Sequence, residues 1–233
     1  GSEFQINTYT PNRQLSPIVA MDVVGYFVVV WESREQDGER QGIFGQLYIS
    51  DGTLKGSEFQ INTFTTNRQQ LPEVAMDADG DFVVVWESLY QDGASMGVFG
   101  QLYNSDGTTN GGEFQVNTET ISYQDSPSVA MDADGDFAVV WASQDQDGSE
   151  RSIFGQLYNS DGTSNGAEFQ INTETNDDQR APSVAMDDTG NFVVVWTSVD
   201  QDGSEEGVFG QRYFNDGTAN GGVFLVNTVT NNY

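Results

Sequence analysis

The chain contains no cysteine and no histidine, and Lys55 is its only lysine. Without cysteine there are no disulfides, no thiolate metal sites and no thiol nucleophile. Without histidine, and with one lysine, most of the usual general bases and amine nucleophiles are missing too. Apolar runs are short. The longest is about Tyr26 to Trp31, whereas a membrane helix needs roughly 20 residues. No leader-like segment is read in the chain, and no membrane insertion is expected. Basic residues are scarce, with eight against thirty-six acidic ones and a net charge of −28. Phosphate backbones are repelled by such a surface, so nucleic acid is not expected as a partner. A field of that sign attracts cations and keeps the chain soluble, which suits a saline or calcium-rich exterior.

What the sequence has instead is a repeat. Trp31, Trp86, Trp141 and Trp196 are spaced 55 residues apart, as are Pro17, Pro72, Pro127 and Pro182. Asp22, Asp77, Asp132 and Asp187 keep the same interval. The units run 1–55, 56–110, 111–165 and 166–220, with a partial fifth at 221–233. Together they form a single repeat domain. Gly1-Ser2-Glu3-Phe4 recurs as Gly56-Ser57-Glu58-Phe59, so the opening residues are read as part of the pattern.

Each unit holds four strand-like stretches and nothing of helical period. In the third unit these are Ser128–Asp132, Phe137–Trp141, Ile153–Tyr158 and Phe169–Asn172. Phe-Ala-Val-Val-Trp at 137–141 is apolar throughout, so it must be covered on both faces. Phe169–Asn172 alternates and suits an outer edge. Small Ser128 and Ala130 suit a crowded axis. Asp132-Ala133-Asp134-Gly135 and Ser160-Asp161-Gly162 make tight hairpin turns, while the other two links are long. Short strands in inner, doubly buried and outer positions describe a blade, so the expected fold is an all-β propeller of four four-stranded 55-residue repeats.

The Phe-Val-Val-Val-Trp, Asp-Ala-Asp-Gly-Asp and Gly-Gln-Leu-Tyr-Asn-Ser-Asp-Gly-Thr segments resemble propeller repeats of large bacterial secreted and cell-surface proteins, over the whole chain. That resemblance implies an extracellular or cell-surface, adhesive or ligand-binding context, with no assigned activity. The turns also resemble the Asp-box hairpins of sialidase-type propellers, which are structural there. The outer-strand segment occurs five times, from Phe4, Phe59, Phe114, Phe169 and Phe224, and the other strands four times. The expectation is a monomeric four-bladed ring with one terminal copy displaced or shared. A larger ring made by two chains is the alternative.

Two constellations carry candidate chemistry. Asp77, Asp79 and Asp81, and again Asp132, Asp134 and Asp136, place three carboxylates around a glycine, an oxygen density that suits Ca²⁺. The bland alternative is that Asp and Gly form turns well. Gln-Asp-Gly recurs in the loop after the buried strand, making Gln91, Asp92, Gln146, Asp147, Gln201 and Asp202 candidates for binding a glycan or protein. The alternative there is a turn whose Asp caps backbone N–H groups. The four tryptophans end an apolar strand and are expected in blade packing rather than on a sugar platform. A carboxylate pair could cleave glycosides, but the acids recur in equivalent positions and no enzyme is expected. The expected function is therefore a non-enzymatic binding or adhesion module, possible calcium support included, or else a spacer and display unit. Loop variation at 120–126 and 175–181 favours the first, and uniformity of the units the second.

Overall fold

A computed structural model describes residues 2–203 and 205–228. The strands are β1 (Gln14–Met21), β2 (Phe27–Arg34), β3 (Gln41–Tyr48), β4 (Leu54–Gln60), β5 (Gln69–Met76), β6 (Phe82–Leu89), β7 (Met96–Tyr103) and β8 (Thr109–Gln115) in the first two units. The others follow as β9 (Gln124–Met131), β10 (Phe137–Gln144), β11 (Arg151–Tyr158), β12 (Phe169–Gln170), β13 (Gln179–Met186), β14 (Phe192–Val199), β15 (Glu206–Tyr213) and β16 (Phe224–Leu225). Each consecutive set of four forms one antiparallel sheet in chain order, blades 1 to 4. The propeller architecture read from the sequence is the one found.

Valine-rich β2, β6, β10 and β14 sit second in each blade because β-branched side chains suit a pleated surface covered on both sides. Trp31, Trp86, Trp141 and Trp196 are at most 3% exposed, as blade packing requires. Each seam between blades is built alike. Val74 of blade 2 packs with Val28 and Val30 of blade 1, Val129 with Val83 and Val85, and Val184 with Ala138 and Val140. Tyr103 stacks on Phe82 at 4.8 Å, and its hydroxyl donates across the seam to the Ile61 carbonyl at 3.4 Å. Tyr158 and Tyr213 repeat the contact to Val116 and Ile171.

The inner strands begin earlier than the sequence suggests, at Gln124 rather than Ser128 in blade 3. A bulge precedes each proline, with Ser16, Leu71, Ser126 and Ala181 at φ of 48, 50, 55 and 52°. It re-aims the backbone, as bulges do.

The expected closed four-bladed ring is corrected by the packing. Val19, the blade 1 counterpart of Val74, Val129 and Val184, is 58% exposed against 8% for each of the others. Met21 beside it is exposed, and so is Val208 on the far face of blade 4. One seam geometry, set by the same bulky side chains at every junction, repeats three times, and four blades stop short of a full turn. The molecule is an open arc. The surplus outer-strand copy is the N-terminal one: Phe4 packs on Tyr48 at 5.7 Å, and the Tyr48 hydroxyl donates to the Ile6 carbonyl. Residues 4–7 join no sheet and sit on blade 1 as Phe59–Asn62 sit on blade 2.

Candidate functional site

The aspartate turns occupy the short-turn face. Oδ1 of Asp77 accepts the N–H groups of Asp79 and Asp81, both at 2.9 Å. Asp132 does the same for Asp134 and Asp136 at 3.0 and 2.9 Å. Asp81 and Asp136 then accept the N–H of Ser105 and Ser160. Partial burial pushes the Asp77 and Asp132 carboxyls up, against the pull of these bonds. The first triplet faces one cleft and the second is divided between two. Asp77, Asp79 and Asp81 share the cleft between blades 2 and 3 with Asp134 and Asp161. Asp132 and Asp136 face the next cleft with Asp216. Among the described residues no group of three carboxylates is set to hold a metal ion.

The Gln-Asp-Gly loops lie at the opposite end of the blades and work largely inside the scaffold. Gln91 donates to Glu113, whose other oxygen accepts both N–H and hydroxyl of Thr63 from the preceding linker. Gln146 and Glu168 repeat this with Thr118. Asp147 accepts from the Ser152 hydroxyl and from Gln170. Asp92 has Gly97 where Asp147 has Ser152, and its Oδ2 is buried without a donor. Gln201 has its Oε1 buried and unpartnered, and Asp202 lies over Gly207.

The repeat symmetry breaks elsewhere, at the loop-side ends of the first three strands. Leu15, Gln70, Asp125 and Arg180 occupy one register position, and their cross-strand partners are Glu32, Glu87, Ala142 and Thr197. Glu87 is 2% exposed and accepts the re-aimed Ser126 N–H across the seam and Gln70 Nε2, both at 2.7 Å. Burial raises its carboxyl, and the Asp125 charge adds to the rise. Asp125 is raised by burial and held down by Arg151, 2.9 Å away. Arg180 bridges Asp178 and Glu206. The result is a belt of charge around the arc's inner rim, different in every blade.

Beside the belt lies a cavity of about 380 Å³ lined by Pro17, Pro72, Pro127 and Pro182 with their neighbours. Equivalent residues from all four blades converge there, which places it on the axis. One carboxyl enters it. Glu73 stands where the other units have Ile18, Ser128 and Ser183. Burial alone pushes this carboxyl above the ordinary glutamate range, and among the described residues no hydrogen bond reaches it. The sequence signal for this site was a within-strand difference between registered units, whereas variable loops drew attention only as far as Asp125, Asp178 and Arg180.

No protein-family model and no curated protein matches the chain. Solved structures do match in fold. An α-L-arabinofuranosidase of Fusarium graminearum aligns over 94% of this chain and 68% of its own, with 14% identity and a TM-score of 0.62. A protein of unknown function from Dyadobacter fermentans aligns over 88% and 66%, with 14% identity and a TM-score of 0.60. A Hadza microbial sialidase aligns over 88% and 45%, with 14% identity and a TM-score of 0.59. The chain thus spans about two thirds or less of the length of these proteins. At such identity the likeness establishes the propeller fold. It also corrects the expectation of a non-enzymatic module, because two of these scaffolds carry glycoside-cleaving enzymes. The expectation rested on acids recurring in equivalent positions. Glu73 does not recur, and glycoside cleavage needs neither histidine nor cysteine.

Proposed function

We propose that the chain acts on carbohydrate at the axial cavity, cleaving glycosidic bonds with Glu73 as the general acid. The observation that carries this reading is a single desolvated carboxylic acid in a cavity that four blades build together. A carboxyl raised by burial keeps its proton to higher pH than an ordinary glutamate and can deliver it to a leaving glycosidic oxygen. Asp125, one residue from the cavity-lining Ser126 and paired with Arg151 at 2.9 Å, is the second carboxylate. It would serve as base or nucleophile, the role such enzymes give to a carboxylate across from the acid. A charge of −28 works against acidic sugars, so neutral pentose polymers are the favoured substrate class over sialosides. Work on polysaccharide fits a place outside the cell.

The test is release of reducing sugar from arabinan and xylan, and of nitrophenol from aryl pentosides, by wild type and Glu73→Gln. The variant should lose about 10²- to 10⁴-fold in rate while keeping the wild-type melting profile at low pH. A wild type inert on the whole panel, or a variant as fast as wild type, would remove the proposal.

A further inference from the structure

We infer that a second copy of this chain docks head to tail on the first, the exposed inner strand of its blade 1 covering the open face of blade 4. Both halves of the contact are present on every molecule. Blade 4 ends in a face whose counterparts in blades 1, 2 and 3 are sealed by the next blade. Val28, Val83 and Ala138 are at most 1% exposed, and Val193, at the same register, is partly uncovered. Blade 1 begins with Val19 and Met21, whose counterparts do the sealing. A contact between copies would therefore continue an interface that the chain already makes three times, with residues 4–7 of the second copy giving up their place beside Tyr48 to Phe224–Val226 of the first, where Val226 is 49% exposed.

One substitution fits that partner. Leu47, Leu102 and Leu157 press across the seams onto Gly107, Gly162 and Gly217, so tightly that a Cβ there would stand 2.8, 2.6 and 3.1 Å from the leucine methyl. In blade 4 the position is Arg212, and it is exposed. By the same register Arg212 would face Gly52 of the second copy, beside Asp51. That aspartate is exposed, and hydrogen bonds from Thr53 hold its carboxyl below the usual range. The charge change falls at the one seam left open, and the residue awaiting it is an anion. Opposing this, two chains of −28 repel, and screening within about 8 Å at physiological salt must relieve the repulsion. Association should therefore strengthen with added salt.

Light scattering over a series from about 1 to 100 µM, a range that brackets micromolar affinity, reads the outcome directly. In high NaCl the wild-type mass should rise to twice 25.5 kDa or more. A contact of this head-to-tail kind closes into a ring or grows into a chain, and either result supports the inference. Val19→Asp places a charge on an already exposed position, so the variant should keep the wild-type melting curve and stay at monomer mass. Arg212→Glu should weaken association at least tenfold. A wild type of 25.5 kDa throughout the series at every salt concentration overturns the inference. So does a Val19→Asp variant that associates like wild type.

Discussion

At the scale of single residues, near-identical units act as controls for one another. Asp147 is satisfied by the Ser152 hydroxyl, whereas Asp92 faces Gly97 and keeps a buried oxygen without a donor. Gly97→Ser should supply the missing hydroxyl and raise stability by about 1 kcal/mol. The new Cβ would approach the same Asp92 oxygen, the end of a side chain that can shift. Urea titration of the variant checks this, and a loss of stability would mean that the crowding outweighs the bond. Glu73 gives a second expectation, in pH. Its folded pKa lies above the unfolded value, so the folded state holds a proton that the unfolded chain has already released. Stability from this group is present at low pH and falls as pH rises through that window. Glu73→Gln should therefore melt above wild type near about pH 7 and level with it near about pH 3. A variant that melts below wild type at neutral pH would show that the carboxylate is stabilised there. Trp31 and its three equivalents were legible from sequence because a fully apolar strand has only one place to go. Glu73 was not, since one acid among thirty-six stands out only once the axis is known to pass beside it.

At the scale of elements, the hairpin turns were legible in position and underdetermined in role. Asp-Ala-Asp-Gly-Asp marks a tight turn by propensity alone. Propensity does not say where the carboxylates point, and Oδ1 of Asp132 closes onto two backbone N–H groups of its own turn. Asp132→Ala should cost about 1–2 kcal/mol, as loss of a capping side chain does. Asp134→Ala should cost much less, since no bond from its side chain closes this turn; equal losses would contradict the division of labour. With turn carboxylates engaged in this way, screening is the expected cation effect. CaCl₂ and NaCl at equal ionic strength should raise the melting temperature equally, and a clear excess for Ca²⁺ would reveal a site in the seam clefts. The bulge before each proline escaped the sequence altogether. Ser126 at positive φ is an outlier that residue preference argues against. Its N–H meets the Glu87 carboxylate across the seam, yet Ala181 takes the same φ with Ala142 at the Glu87 position, so the bulge belongs to the repeat and the carboxylate exploits it.

At the scale of the molecule, charge and curvature set behaviour. Like charges spread over 233 residues to a total of −28 oppose the compact state. Raising NaCl from about 0.05 to 0.5 M shortens the screening length several-fold and should raise the melting temperature; a flat response would mean that local pairs already neutralise the field. The repeat period made the number and kind of blades legible. It could not reveal closure, because the angle between blades is a property of how Trp, Phe and Tyr pack in three dimensions, and four identical periods are equally compatible with a ring or an arc. Val19 at 58% exposure settles it for this chain.

The offset between repeat and blade has a genetic consequence. Phe59–Asn62 complete the sheet of one blade and the seam of the next, so any window of 55 residues, wherever it starts, carries one copy of every seam element. Unequal recombination between near-identical gene segments would then delete or duplicate a window without leaving a damaged junction. Blade number is free to drift in a lineage while the fold stays intact. The axial acid has no such protection, because it is encoded in one unit alone, and a crossover that removes that unit would leave a well-folded array with an empty axis.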